Sequence, residues 1–126
     1  MTKTSFMAAD GPPPIGPYSA GVQAGDLVFL SGQVAIDAEG HITGYSAIEQ
    51  ARKVMENMKA QLAAAGLGMD AVVKTTIFLA DIDDFQNIND VYAEYFSEPY
   101  PARSTVQVAA LPKGVKLEIE AIAIRG

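Results

Sequence analysis

The sequence predicts an α+β fold in which a mixed β-sheet carries two helices on one face. Two segments repeat apolar residues at every third or fourth position, which is the spacing of amphipathic helices. The other apolar segments are short, rich in β-branched residues and separated by turn residues, which is typical of strands. In chain order the predicted elements are β-β-(β)-α-β-α-β-β, where the bracketed strand is short.

The N-terminal third is predicted to be extended. Residues 1–17 are expected to form an ordered arm, because their last part, DGPPPIGP, contains too much proline and glycine for a helix. Two strands are predicted at 18–24 and 27–34, on either side of a tight turn. A turn-rich loop follows, with a short strand at 41–43.

The first helix has clear start and stop signals. Ser46 and Glu49 have the spacing of a capping box, in which each side chain bonds to the backbone of the other residue. Gly66 is expected to end the helix. The apolar stripe predicted to face the sheet consists of Ile48, Ala51, Met55, Met58 and Leu62.

The middle of the chain predicts a strand followed by a second helix. Residues 71–80 are largely β-branched and apolar, so they are expected to form a central strand. Asp84 is expected to cap a helix that stops near Pro99. The apolar stripe of this helix consists of Phe85, Ile88, Tyr92 and either Tyr95 or Phe96.

The last two predicted strands, 102–110 and 115–124, are joined by a turn at 113–114. Each has one small or apolar face suited to packing under helices. These faces consist of Ser104, Val106, Val108 and Ala110 on the first strand, and of Leu117, Ile119, Ala121 and Ala123 on the second. The opposite face of the second strand consists of Glu118, Glu120, Ile122 and Ile124. Because neither water nor a monomer core suits that mixture, we predict a homo-oligomer with a polar cleft at the subunit seam.

Composition and charge narrow the function classes. A chain of 126 residues is predicted to be one domain, 1–126. With no cysteine and a lone His41, no thiolate chemistry and no metal site is predicted, and no cofactor motif is visible. A net charge of −6 with scattered Lys and Arg disfavours nucleic acid and membrane as partners. No apolar run could span a bilayer and no secretory signal is visible, which predicts a cytoplasmic location.

Arg103 and Glu118 are the main candidates for chemistry. The Arg103 guanidinium stays charged and matches a carboxylate with two parallel hydrogen bonds, so beside a subunit seam it would bind a small carboxylate ligand. The alternative is a structural ion pair with Glu118 or Glu120, on a strand expected to be its neighbour. Glu118 could polarise a water as a general base, or could pair with Arg103 or Lys116.

Three further candidates rest on local patterns. Ser31 precedes a glycine, and glycine often marks a close approach of backbone to ligand, although a bulge is the alternative. Tyr18 follows two Gly and Pro stops and could present its ring to a ligand, or be an ordinary half-buried tyrosine. Asn89 lies near the stripe of the second helix, where an amide needs a partner, or it is a surface residue.

Three segments resemble the Rid family, also called the YjgF or reactive-intermediate deaminase family. They are IGPYSAGVQAGDLVFLSGQV near the start, VKTTIFLADIDDFQNINDVYAEYF in the middle and YPARSTVQVAALPKGVKLEIEAIAIRG at the end. The resemblance covers nearly the whole chain. It implies a chorismate-mutase-like α+β fold, and a homotrimer whose sheets form a central barrel with clefts between subunits.

The resemblance also implies an activity, that of a 2-iminobutanoate/2-iminopropanoate deaminase. Such an enzyme hydrolyses 2-aminoacrylate and related 2-imino acids to 2-keto acids and ammonia, and the resemblance implies no cofactor. In this chain Arg103 would hold the substrate carboxylate, helped by the backbone amide of Thr105. Thr105 stands where the archetypal members have cysteine, so substrate preference is left open.

The remaining implied site residues act around the reacting carbon. Glu118 and Ser31 would hold or activate the attacking water. Tyr18 and Asn89 would shape the pocket, with Tyr18 contributed by the neighbouring subunit. All of these roles are implied by the resemblance and not by the spacing of the residues.

Two other function classes stay open at the level of sequence. A non-catalytic binding protein or sensor would use the same cleft for a keto acid or an amino acid. RNA cleavage or chaperone-like holding, reported for relatives, is disfavoured by the negative charge, by the lack of paired histidines and by the lack of an evident exposed apolar surface.

Overall fold

The computed structural model describes residues 2–126 and contains one sheet and two α-helices. In chain order the elements are β1 (Lys3–Phe6), β2 (Gly21–Ala24), β3 (Leu27–Gln33), α1 (Ala47–Ala64), β4 (Val72–Leu79), α2 (Phe85–Ala93), β5 (Ala102–Gln107) and β6 (Leu117–Ile124). Short 3-10 turns precede β4, α2 and β6. The predicted α+β class is confirmed.

The six strands form one mixed sheet with the order β1-β2-β3-β6-β4-β5. β4 and β5 run parallel, with α2 as the crossover between them, and all other neighbours are antiparallel. The expectation that the last two strands are neighbours is wrong, because β4 lies between them. β6 returns to the centre of the sheet, where its four apolar residues on one face are 0–3% exposed.

Both helices cover the same face of the sheet, and the core lies between. The helix-facing strand residues include Thr75, Ile77 and Leu79 on β4 and Leu117 and Ile119 on β6. α1 packs on them with Ala47, Ala51, Val54, Met55, Met58 and Leu62. Ile48, predicted in this stripe, is instead 45% exposed. It lies about 100° around the helix from Ala47, outside the buried sector.

The ends of the helices agree only in part with the sequence signals. The capping box is confirmed: Ser46 Oγ accepts from Glu49 N at 3.0 Å, and Glu49 Oε1 accepts from Ser46 N at 3.1 Å. Gly66 follows α1 with φ +76°, as a helix stop requires. Asp84 precedes α2 but its side chain caps nothing, because its backbone is already helical, at φ −81° and ψ −3°, as the last residue of a 3-10 turn that Asp81 caps through Asp83 N. α2 ends at Ala93, six residues before Pro99.

The N-terminal arm contains a strand that the sequence did not predict. β1 pairs antiparallel with β2, and its side chains are mostly exposed at the sheet edge. A polar edge strand carries no alternating apolar pattern, so only its partner reveals it. β2 begins at Gly21 and not at Tyr18, and the short strand predicted at 41–43 is reduced to a single bridge between Ile36 and Ile42.

The face assignment predicted for β5 is wrong. Arg103 and Thr105 pair in register with Thr75 and Ile77, so they lie on the helix-covered face. Val106, expected under the helices, is 44% exposed on the other face. Alternation separates the two faces of a strand but does not say which one meets the helices. No α-helix within residues 2–126 is long and apolar enough to cross a membrane.

Candidate active site

The guanidinium of Arg103 lies in a cradle formed by α2. Its Nη1 donates a hydrogen bond of 2.8 Å to Asn89 Oδ1. Its central carbon lies 4.9 Å from the ring centroid of Tyr92 and 5.6 Å from that of Phe85. These three residues share one face of α2, because they are spaced by four and three positions along the helix. Arg103 and Asn89, which the sequence analysis named as separate candidate site residues, are therefore in direct contact.

Arg103 has no carboxylate partner among residues 2–126, where Arg52 forms an ion pair with Glu94 and His41 Nδ1 lies 3.6 Å from Asp37 Oδ2. The alternative prediction of an ion pair with Glu118 or Glu120 is therefore wrong for the protomer. β6 lies two strand positions from β5, roughly 10 Å away, and its glutamates point to the opposite face. The charge of Arg103 is held by an amide oxygen and two aromatic rings and is not neutralised.

A cavity of 280 Å³ opens directly beside this guanidinium. It is lined by Asn89, Tyr92, Ala93, Tyr100, Pro101 and Arg103. Thr105 lies two residues further along β5, in a narrow slot under Phe85 and Ile88. The buried Thr105 Oγ1 has no hydrogen-bond partner within the described chain. This side of the sheet thus offers one cation, one amide and one unused hydroxyl around a small space.

Glu118 lies on the open face of the sheet, half-buried, beside Gly32 of β3. Burial raises the pKa of the Glu118 carboxyl, and the nearby negative charge of Glu120 raises it further. A carboxyl whose pKa is raised toward neutrality can exchange protons with water and substrate, which suits a general base. A cavity of 270 Å³ on the same face is lined in part by Ser19, Ser31 and Glu120.

Ser31 lies on this open face, and Tyr18 lies on the segment before β2 that Ser31 contacts. Ser31 Oγ donates a 2.6 Å hydrogen bond to the carbonyl of Ser19, so it links β3 to the segment that carries Tyr18. Tyr18 is 52% exposed, and its hydroxyl accepts a long 3.4 Å hydrogen bond from Ile15 N. Its ring lines a further cavity of 300 Å³ with residues of the N-terminal arm.

The predicted site residues therefore form two groups on opposite faces of one sheet. The cation group consists of Arg103, Asn89 and Thr105, and the acid group consists of Glu118 and Ser31, with Tyr18 on the segment that Ser31 joins to β3. Within one protomer the sheet separates the two groups, so they cannot share one small ligand.

The open face that carries the acid group is also apolar. Its exposed large side chains are Leu27, Phe29, Val106 and Ile124, each 38–45% accessible. Ile122 pairs with Phe29 across β3 and β6, and Ile124 pairs with Leu27. Such a sheet face beside two glutamates has the composition of an interface and not of a solvated surface.

Sequence reasoning used Gly32 only as a marker beside Ser31 and did not connect it with Glu118, and it assigned Phe85 and Tyr92 only to the helix stripe. A Cβ at Gly32 would overlap the carboxylate of Glu118, so any other residue there would displace that side chain from its present position. The spacing of Phe85, Asn89 and Tyr92 already puts them on one helix face, and this was the available signal. Within residues 2–126 no group of three or more His, Cys, Asp or Glu side chains could hold a metal ion.

Comparisons with known proteins agree over nearly the whole chain. Residues 8–125 match the family model described as Endoribonuclease L-PSP. A RutC family protein of Pyrococcus horikoshii is 47% identical over 98% of both chains. The human protein named 2-iminobutanoate/2-iminopropanoate deaminase is 45% identical over 100% of this chain and 93% of its own length. The crystal structure of E. coli TdcF with bound serine has a TM-score of 0.91 and 46% identity, and the match covers 98% of this chain and 99% of TdcF.

Proposed function

The chain belongs to the Rid (YjgF) family, and we propose that it is an enamine/imine deaminase that converts 2-imino acids to 2-keto acids and ammonia. The observation that carries this proposal is Arg103, a half-buried cation without a carboxylate partner in residues 2–126, beside a cavity large enough for a small organic acid. The name of the human relative and the serine bound to E. coli TdcF support it. We retain a cytoplasmic location as a prediction from the sequence.

In the proposed complex Arg103 receives the substrate carboxylate. The guanidinium carbon lies over the rings of Tyr92 and Phe85, which accept none of its N–H hydrogen bonds in the described residues, and Nη1 donates to Asn89, so the other N–H donors stay available for a ligand. A carboxylate accepts two parallel hydrogen bonds from such a fork. The backbone amide of Thr105 would add a third donor. Substrate orientation, and not covalent catalysis, is then the main contribution of this group.

The hydrolytic step needs only water and one base. Water attacks C2 of the imine while one of its protons passes to the carboxylate of Glu118, and the imine nitrogen takes up a proton from solvent as the C–N double bond becomes single. Glu118 then gives its proton to the amine nitrogen of the carbinolamine, the hydroxyl loses its proton to solvent, and the C–N bond breaks to release ammonia and the 2-keto acid. Ser31 would help to hold the water. Burial and the charge of Glu120 raise the pKa of Glu118, which makes its carboxylate a stronger base than that of an exposed glutamate.

A complete site requires two subunits, because the cation group and the acid group lie on opposite faces of the sheet. We therefore propose a homotrimer in which the open, apolar face of one copy packs near β5 of the next, and in which Tyr18 comes from the neighbour. A ring of three copies uses one head-to-tail contact repeatedly and buries Ile124 and Phe29, which are exposed on the open face. Each seam then contains one site.

Arg103→Ala tests the role of the cation. Ammonia release from 2-aminoacrylate, generated in the assay by a pyridoxal-phosphate dehydratase, is expected to fall sharply, because losing the partner of a buried carboxylate costs about 2–5 kcal/mol of binding. Arg52→Ala removes another arginine, on the exposed ion pair with Glu94, and should leave turnover unchanged. Near-normal turnover of Arg103→Ala would remove that residue from the mechanism.

Mixing two inactive variants tests the composite site. Arg103→Ala and Glu118→Gln subunits, unfolded and reassembled together in equal amounts, would give about one quarter of sites with both groups intact if each site draws them from adjacent copies. Each variant reassembled alone should stay inactive. No recovered activity in properly assembled mixtures would mean that the two groups do not cooperate across a seam.

A non-catalytic carboxylate-binding protein is the second candidate, and the serine bound to TdcF favours keeping it. In such a protein the same cation group would bind the ligand carboxylate, and no base would be needed. Thermal stabilisation of the protein by 2-oxobutanoate without acceleration of imine hydrolysis would decide for this candidate. Although the family model is described as an endoribonuclease, the charge of −6 opposes RNA binding.

A further inference from the structure

Tyr92 connects the cation group to the centre of the sheet. Its ring face lies 4.9 Å from the guanidinium carbon of Arg103, and its hydroxyl lies 2.8 Å from Thr75 Oγ1. Thr75 is fully buried on β4 and pairs in register with Arg103 on β5. The tyrosine therefore spans from α2 to the strand next to the arginine that it supports.

Both ends of this connection are shielded from water. Tyr92 is 6% exposed and Thr75 is 0% exposed, so neither hydroxyl has a solvent alternative to the other. Burial raises the pKa of the Tyr92 hydroxyl, which keeps it protonated and able to hydrogen-bond. The ring is also packed against Phe96, with 4.7 Å between centroids. The hydroxyl contact and the ring contact together restrict the tilt of the Tyr92 ring.

An aromatic support has a specific advantage for a ligand-binding arginine. The π face attracts the cation without accepting its in-plane N–H hydrogen bonds and without cancelling its charge. A carboxylate in place of the rings would accept those N–H hydrogen bonds and would neutralise the charge of the guanidinium. With Tyr92 and Phe85 contacting it through their rings, the guanidinium is restrained while most of its donors stay free.

We infer that Tyr92, anchored by its hydrogen bond to Thr75, is a positioning residue that holds the Arg103 guanidinium in the orientation that binds the ligand carboxylate. This inference rests on the proposed function only for the identity of the ligand. Within one protomer Tyr92 lies across the sheet from Glu118 and Ser31, on the side that binds the carboxylate and not on the side of the proposed base. Its loss is therefore expected to raise KM and the Kd of a carboxylate ligand, and to change kcat little.

Four variants separate positioning from simple stability. Tyr92→Phe and Thr75→Val each leave one buried hydroxyl without a partner, whereas the double variant removes both hydroxyls. Unfolding free energy should fall in each single variant and recover in the double variant, because no orphan polar group remains. Carboxylate affinity should stay low in all three, since the anchor of the ring is missing in each. Tyr92→Leu removes the ring itself.

The probe is 2-oxobutanoate, measured by calorimetry on the assembled wild-type protein and each variant. Kd is expected to rise several-fold in the three hydroxyl variants and by about 2- to 30-fold in Tyr92→Leu, the range of a cation–π contact. Tyr95→Phe is the matched control, because its hydroxyl bonds Glu56 at 2.6 Å on the surface and its ring is not among those that contact Arg103. Its Kd should not change.

Failure of the positioning inference and failure of the deaminase proposal give different experimental results. A wild-type protein that binds 2-oxobutanoate through Arg103 but hydrolyses no imine would defeat the deaminase proposal and leave the positioning test intact. Kd values that recover together with stability in the double variant would show that Tyr92 acts only on the fold. Unchanged affinity in Tyr92→Leu, or wild-type binding that does not depend on Arg103, would also overturn the inference.

Discussion

The carboxylate of Glu118 on β6 occupies the space that a side chain at position 32 of β3 would need. β3 and β6 are paired strands, and their register shifts between Leu30 and Gln33, next to this glycine. The irregular backbone and the missing Cβ together admit a charged side chain at this point of the sheet. The orientation of the proposed base therefore depends on a residue that has no functional group.

Gly32→Ala is expected to displace the Glu118 carboxylate and to lower kcat/KM for imine hydrolysis by about 100-fold, since small misplacements of a catalytic group have effects of that size. Gly68→Ala is the control, because its added methyl would meet only the Asp70 carboxylate, at 3.0 Å, and that side chain can rotate away. Steady-state kinetics with circular dichroism as a folding check would measure both. Full activity in Gly32→Ala would show that the position of Glu118 tolerates change.

The pH profile of the proposed deaminase should report the raised pKa of Glu118. A general base works only when deprotonated, so activity is lost as the pH falls through that pKa, at a higher pH than for an exposed glutamate. Glu120→Gln removes the repelling charge, which lowers the pKa of Glu118 and moves the acid limb of kcat/KM to lower pH. The shift is partial because burial still raises the pKa.

Glu39→Gln, in an exposed loop, is the control for the change in net charge. Its acid limb should coincide with that of the wild-type protein. If Glu120→Gln leaves the limb in place or moves it to higher pH, then Glu118 is not the group that titrates.

Oligomerisation should depend on the open face of the sheet. Ile124→Lys places a charge on that face and is expected to dissociate the assembly and to lower activity in parallel. The physical reason is that burying an unpaired charge at an interface costs on the order of several kcal/mol of desolvation free energy. Ile48→Lys is matched in exposure, at 45% for both isoleucines, but lies on α1. It should stay assembled and active.

Light scattering across a concentration series measures the oligomeric mass of the wild-type protein and of both variants, and so tests this prediction. A wild-type protein that is monomeric at assay concentration and still active would contradict the composite site directly. An assembled Ile124→Lys protein would show that this end of β6 lies outside the interface.

The capping box should contribute to stability and not to activity. Ser46→Ala removes the acceptor for Glu49 N and should lower the free energy of unfolding by about 1 kcal/mol. Urea denaturation measures the change. Ser97→Ala, at an exposed serine beyond α2, should change it little, and kcat/KM should be unaffected in both. A loss of activity in Ser46→Ala at a temperature where it is folded would link the cap to the site.

Local patterns in the sequence were sufficient to locate the two helices, the interior strand β4 and the candidate Arg103, although not the exact ends of the second helix. Capping residues, a 3.6-residue apolar period and a β-branched run each act within a few positions along the chain, so they can be recognised without a partner. The arginine was recognisable because a permanently charged, planar donor group is rare in this acidic chain. The family resemblance then supplied roles that the spacing alone left open.

Tertiary structure alone decided which surfaces these residues share. The alternation of β5 separated Arg103 from Val106, but pairing with β4 decided that the arginine faces α2. The placement of β4 between β5 and β6 removed the predicted ion pair, and the edge strand β1 became visible only through β2. Strand order and facing depend on contacts between distant parts of the chain, whose free energy no local window contains. For the same reason, the cradle of Arg103 and its separation from Glu118 are properties of the folded protein and not of either segment.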